Sequence, residues 1–182
     1  MTLVVSTSSP LASLALFDGA DLVAAADCGE GRAHQTLFGM LDQVLEGRPK
    51  SVVRTVVADV GPGGFTAVRI GVTFAKTWAN FERAELRAIS AFDLISPLGI
   101  AVIGVRRGSY VLRVPGEPLS SVLEVPDGVP GHGVGVLQPT YPHASRYVPS
   151  ASRPSDPLTL VPDYILEPSI STPKRPLGRG TA

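Results

Sequence analysis

Residues 55–60, Thr-Val-Val-Ala-Asp-Val, are apolar at nearly every position. They run straight into Gly61-Pro62-Gly63-Gly64, after which residues 66–81 carry a helical pattern. No other stretch restricts the fold as much. A strand apolar on both faces is covered on both faces, which predicts a central strand of an α/β protein. The glycines allow backbone angles closed to other residues and close approach of a neighbour. Strand, glycine turn and helix together can also present free backbone N–H groups to an anion. Gly61, Gly63, Gly64 and Thr66 are therefore candidate phosphate-binding positions. The turn is not a Walker loop, because no Gly-Lys-Ser/Thr follows, and it is not a dinucleotide fingerprint, because position 66 is Thr. The plainer alternative is a tight turn that seats the helix on the sheet, with Thr66 as N-cap.

The elements before this turn are predicted from periodicity. Residues 3–5, 11–17 and 22–26 read as three strands, the last two joined at Asp18-Gly19. Residues 33–45 read as an amphipathic helix with Leu37, Leu41 and Val44 at helical spacing and Phe38 and Leu45 beside them, stopped by Gly47 and Pro49. The order is β-β-β-α-β-α. The helix over 66–81 has two apolar stripes, Val68, Val72, Ala75 and Ala79, then Ile70, Phe74, Trp78 and Phe81. It is either a core helix buried on most sides or one with a face on its sheet and a face on a partner. In the second case Phe74 and Trp78 are anchors.

Downstream, residues 86–89, 100–105, 109–114 and 121–125 read as strands. Ser90 caps a short helix through Ile95, and Arg106-Arg107-Gly108-Ser109 is a hairpin turn. From Pro139 onward the Pro- and Gly-rich chain reads as an extended strap. The end, with Lys174, Arg175 and Arg179, reads as a frayed basic tail.

The chemistry-bearing residues are sparse. Ser6-Thr7-Ser8-Ser9 is a second phosphate-turn candidate, but Ser6 stands where a metal-organising Asp is expected, and Mg²⁺ prefers carboxylate or water. His34, His132 and His143 form no His-x-x-x-His pair, so a zinc or iron site lacks its spacing. No Gly-x-Ser-x-Gly elbow is present. Asp42 and Asp59 lie near the best segments without a spacing that commits them to acid–base work. With one cysteine, an internal disulfide and a cysteine zinc cluster are excluded. The 16 basic and 16 acidic residues cancel, so no basic field is available to grip nucleic acid directly. Met1 leads into a strand with no leader-like or membrane-spanning run, so a cytoplasmic protein is expected.

Several of these segments resemble one family in the right order. Gly61-Pro62-Gly63-Gly64-Phe65-Thr66-Ala67-Val68-Arg69-Ile70-Gly71 resembles the GPGSFTGLRIG signature of the bacterial TsaB (YeaZ) proteins. Val4-Val5-Ser6-Thr7-Ser8 resembles their opening strand and turn, with Ser6 for Asp. Ala33-His34-Gln35 resembles the start of their first helix, and residues 105–110 their second-half strand and turn. Pro162-Asp163-Tyr164-Ile165-Leu166 resembles their Pro-x-Tyr-Leu-Arg motif, with Leu166 for Arg. The resemblance is strong to about residue 95 and looser beyond.

It implies an actin/Hsp70-like (ribonuclease H-like) α/β fold of two lobes, the second shortened. Residues 1–95 would be the first lobe, 96–171 the reduced second lobe and 172–182 a flexible basic tail. It implies a non-catalytic scaffold in formation of N6-threonylcarbamoyladenosine at position 37 of tRNAs reading ANN codons. The partners would be the catalytic TsaD subunit and the ATPase TsaE, with tRNA reached through the complex and a homodimer formed in isolation. Family members pair through the helices matching 33–45 and 66–81, which makes His34, Leu37, Leu41, Arg69, Ile70, Phe74 and Trp78 candidate partner-binding residues. No cofactor of its own is implied, and a nucleotide between the subunits is left open. The alternatives are an ATP-dependent phosphotransferase or ATPase of the same fold, which needs a metal carboxylate, and a metallopeptidase, which needs metal ligands.

Overall fold

The computed structural model describes residues 1–29, 33–106 and 108–165. Arg107, Leu166 and the basic stretch with Lys174, Arg175 and Arg179 lie outside the described residues. The chain opens with the expected meander, β1 (Thr2–Ser6), β2 (Ser13–Asp18) and β3 (Asp21–Asp27). Gly19, at φ +61°, makes the β2–β3 turn. Helix α1 (Ala33–Leu45) follows, and the chain leaves it through Gly47 at φ +77°. Strand β4 (Thr55–Asp59), helix α2 (Phe65–Glu82), strand β5 (Glu85–Ile89) and the short helix α3 (Ala91–Ile95) complete this part. Ser90 caps α3 as anticipated, its hydroxyl accepting from Phe92 N–H at 3.4 Å.

β1, β4 and β5 are parallel, as a strand–helix–strand crossover requires, and β2 and β3 extend the sheet antiparallel from β1. Alternation divides the side chains between two faces. Leu3, Val5, Leu14, Leu16, Val56 and Ala58 face α1 and α2 in the larger core. Val4, Ala15, Phe17 and Val57 face the other way, where Leu94 of α3 and Ala144 and Tyr147 cover them. Both faces of β4 are thus covered, which is why its sequence shows no polar alternation.

The second sheet holds β6 (Ala101–Arg106), β7 (Ser109–Arg113), β8 (Ser120–Val122) and β9 (Gly131–His132), in the order β8-β7-β6-β9. Ala101, Ile103 and Val111 pack on Ala91, Phe92 and Ile95, so α3 is the hydrophobic joint between the sheets. From Pro139 the chain does run as a strap. It crosses the second face through two short 3-10 turns, Ala144–Arg146 and Pro149–Ala151. It then adds β10 (Arg153–Pro154) beside β5 as the edge of the first sheet. Neither β9 nor β10 has a periodic signal, since each is two residues long.

Candidate functional site

The glycine turn is an anchored crossing point. Asp59, at the end of β4, is fully buried. Its Oδ2 accepts the Ser6 hydroxyl at 2.7 Å and the Ser8 hydroxyl at 2.5 Å, and its Oδ1 accepts Gly61 N–H at 2.8 Å. Burial pushes the carboxyl above its usual range, and hydrogen bonds from Ser8, Gly61 and Ser6 pull against that shift. The carboxylate that the sequence lacks at position 6 therefore arrives from the neighbouring strand. All three contacts are with the protein itself, linking the β1 turn to the glycine turn.

The rest of the turn is similarly engaged. Gly64 N–H donates to Ser8 O at 3.0 Å, and Gly61 O accepts Ala91 N–H at 2.7 Å. A Cβ on Gly63 would overlap the Ser8 carbonyl, so this position is glycine because another backbone passes through the space. Gly61 has φ +98°. Two of the N–H groups that a phosphate would use, those of Gly61 and Gly64, already have protein acceptors. Thr66 is not the N-cap. That place belongs to Gly64, which has no side chain to cap with, and Thr66 lies exposed in the first turn. Thr66→Ala is accordingly expected to change unfolding free energy by less than about 0.5 kcal/mol, against about 1 kcal/mol for loss of a true cap. Urea denaturation distinguishes the two.

The outer side of α2 is different. Val68, Val72, Ala75 and Ala79 are buried on the sheet. The second stripe is graded rather than buried throughout: Trp78 is buried, Ile70 and Phe74 are half-buried, and Phe81 is 79% exposed. Of the two alternatives for this helix, burial on most sides does not hold on this flank, because α1 stands beside α2 without covering it. Leu37 and Leu41 of α1 belong to the core, while Phe38 is 74% exposed. The result is an apolar groove of about 480 Å³ whose walls include Phe38, Ile70, Phe74 and Phe81, with Leu37, Leu41 and Trp78 at its base. Phe74 touches Phe38 edge-on and stacks near Trp78, both at 6.0 Å between ring centres. Lys50 stands 6.0 Å from the Trp78 ring. Arg69 is exposed, with its guanidinium over Phe65 at 5.2 Å. Backbone at His34 is in the first turn of α1, and its side chain lies outside what the structure describes. Phe38 and Lys50 were not among the sequence candidates. The signal for Phe38 is its offset of one residue from the core stripe, which turns it 100° away from Leu37 on the helix.

A second hollow, of about 430 Å³, lies between the glycine turn and the second sheet. Its walls include Pro10, Phe65, Ile103, His132 and Tyr164. His132 is buried, its Nε2 has no hydrogen-bond partner among the described residues, and burial lowers its pKa to about 4. His143 proves to be a helix-start histidine: its Nδ1 accepts Ser145 N–H at 3.2 Å. Among the described residues no group of three or more His, Cys, Asp or Glu could hold a metal ion, and no helix is long and apolar enough to cross a membrane.

No family model matches the sequence, and no curated protein matches it. Solved structures do match by fold. A Pseudomonas aeruginosa protein described as uncharacterized with similarity to peptidase YeaZ superposes with a TM-score of 0.73 at 18% identity, covering 91% of this chain and 99% of its own. YeaZ from Pseudomonas aeruginosa superposes with a TM-score of 0.63, also at 18% identity, covering 80% of this chain and 87% of its own. With its two sheets, crossover helices and glycine turn, this chain is a mixed α/β protein with a YeaZ-like fold.

Proposed function

We propose that this chain is a docking subunit of the TsaB type, acting with a TsaD-like catalytic subunit and a TsaE-like ATPase to form N6-threonylcarbamoyladenosine at position 37 of tRNAs reading ANN codons. The observation that carries this reading is the open aromatic groove between α1 and α2. An exposed Phe38 and Phe81 beside half-buried Ile70 and Phe74 form the type of apolar surface that soluble chains cover with a partner. The YeaZ-like fold supports it. In this reading the two sheets are the two lobes of an actin/Hsp70-like architecture, with residues 1–95 and 96–171 as their sequence limits, except that the strap returns from the second stretch to cover the first sheet and to add β10 to its edge, and with 172–182 as a tail. The balanced charge supports indirect contact with tRNA. Without the catalytic subunit the same groove pairs two copies of the chain, in the cytoplasm. A nucleotide, if used, sits between subunits.

The phosphotransferase reading has less support. Asp59 is the carboxylate nearest the serine turn, and its oxygens accept Ser6, Ser8 and Gly61. The deciding experiment is tRNA threonylcarbamoylation with purified TsaD, TsaE, threonylcarbamoyl-AMP and ATP, with and without this chain. Modification that depends on the chain, with co-elution of the catalytic subunit, is the expected result. Equal modification without it, and no co-elution, refutes the proposal.

A further inference from the structure

The described part of the segment resembling Pro-x-Tyr-Leu-Arg, which ends at Ile165, contributes nothing to the groove. It lies on the far flank of α2. Leu160 enters the larger core, and its carbonyl accepts Lys76 Nζ at 3.1 Å. Asp163 N–H donates to Val60 O at 2.7 Å, at the end of β4. Tyr164 lies over Phe65, with ring centres 5.0 Å apart and planes at 30°. Ile165 packs against the core of the second sheet. Tyr164 and Ile165 also line the hollow between the sheets. In six residues the chain therefore touches α2, then the residue after β4, then α2 again, then the second sheet.

The helix geometry gives these contacts direction. Phe65 and Lys76 are 11 residues apart, close to three full turns, so they share one flank of α2. Ile70, Phe74 and Phe81 occupy the other flank, and the buried stripe from Val68 to Ala79 lies between. α2 is thus held on one side by α1 and on the opposite side by residues 160–165.

The hold is light. Val161 is 69% exposed and Tyr164 39% exposed. Among the described residues a single main-chain hydrogen bond, from Asp163, ties 161–165 to the first sheet. Segments with few buried contacts and exposed backbone open at low free energy while the core stays closed.

We propose that residues 160–165 form a releasable latch that closes the hollow between the two sheets and clamps α2 from the flank opposite its groove. Seated, the Asp163 carbonyl covers Gly61, where an added Cβ would lie 3.1 Å away. Released, the hollow and the first turn of α2 open together, and the helix bearing Phe74 and Trp78 is held only by the sheet and α1. The latch thus sets how rigidly the groove wall is held without sharing a residue with it.

Hydrogen–deuterium exchange of the full chain, resolved by peptide, tests this without any partner. Tyr164→Ala should speed exchange about ten-fold in peptides covering 61–72 and 160–165, the loss expected from removing one aromatic pair. Peptides covering 2–18 and 37–45 should keep their wild-type rates. Tyr164→Phe, which retains the ring, should match wild type. Lys76→Met removes a separate anchor and should give the same localised pattern, including where Tyr164→Ala folds poorly. Unchanged exchange over 61–72 in both Tyr164→Ala and Lys76→Met overturns the proposal. So does a uniform rise across β1, β2 and α1, which would make the segment an inseparable part of the global fold.

Discussion

Phe74→Glu is expected to abolish docking in the α1–α2 groove, weakening it by about 100-fold or more, while the monomer stays folded. The magnitude follows from where the carboxylate goes. In a covered groove it would face Phe38, Ile70 and Trp78, with Lys50 on the same lining as its one cationic neighbour, and incompletely compensated burial of a charge costs several kcal/mol. A loss of about 2.7 kcal/mol already amounts to 100-fold. In the free chain Phe74 is half-buried, so the new side chain can turn to water, and the lost apolar contact costs about 1 kcal/mol. Size-exclusion chromatography with the catalytic subunit measures docking, and thermal melting measures the monomer. Phe81→Ser, at a position 79% exposed, provides a milder companion that should leave the melting temperature unchanged. If Phe74→Glu also unfolds the monomer, the wall is core and the groove is not a docking surface.

Asp59→Ala is expected to destabilise the fold by about 3 kcal/mol or more, since it leaves the Ser6 and Ser8 hydroxyls and Gly61 N–H buried without an acceptor. It should also weaken docking indirectly, because the glycine turn that Asp59 fixes starts α2. Asp59→Asn separates charge from hydrogen bonding. The buried carboxyl titrates above its usual 3.8. Between the unfolded value and the raised folded value, the folded state therefore holds the proton more tightly than the unfolded chain. Asp59 accordingly makes stability fall as pH rises from about 3.8 to its folded pKa, and Asp59→Asn should remove that slope. Urea midpoints measured across this range check the sign; an unchanged slope in Asp59→Asn would assign the pH dependence to other groups.

Much of the first sheet was legible because its strands and helices are long enough to show a period. α1 matches its expected bounds at both ends, and β4 announced itself by lacking a polar face. The glycine turn was legible as a turn, but its partners were not. Asp59 meets Ser6 and Ser8 across more than 50 residues of sequence, and no local spacing encodes that contact. The alternative of Thr66 as a cap rested on threonine being a good cap in general, whereas here the backbone enters the helix two residues earlier, at Gly64. The groove was half legible. The stripe of Ile70, Phe74 and Trp78 was visible, but its gradation from buried Trp78 to exposed Phe81 depends on how far α1 leans over α2. The strap was legible only as an absence of period, and its two-residue strands fall below what periodicity can detect.

The covering of the first sheet's second face bears on how the chain is made. Val4, Ala15, Phe17 and Val57 are sealed by Leu94 and then by Ala144 and Tyr147, with Ala151 packed beside them. A nascent chain that has emerged only as far as β5 carries the second face of that sheet uncovered. The surface closes only after some 50 further residues have been synthesised. Contacts of such long sequence separation form slowly, and chains that wait for them pass through sticky intermediates. Until residues 144–151 have been made and wrapped back, that face of the sheet stays open but for Leu94.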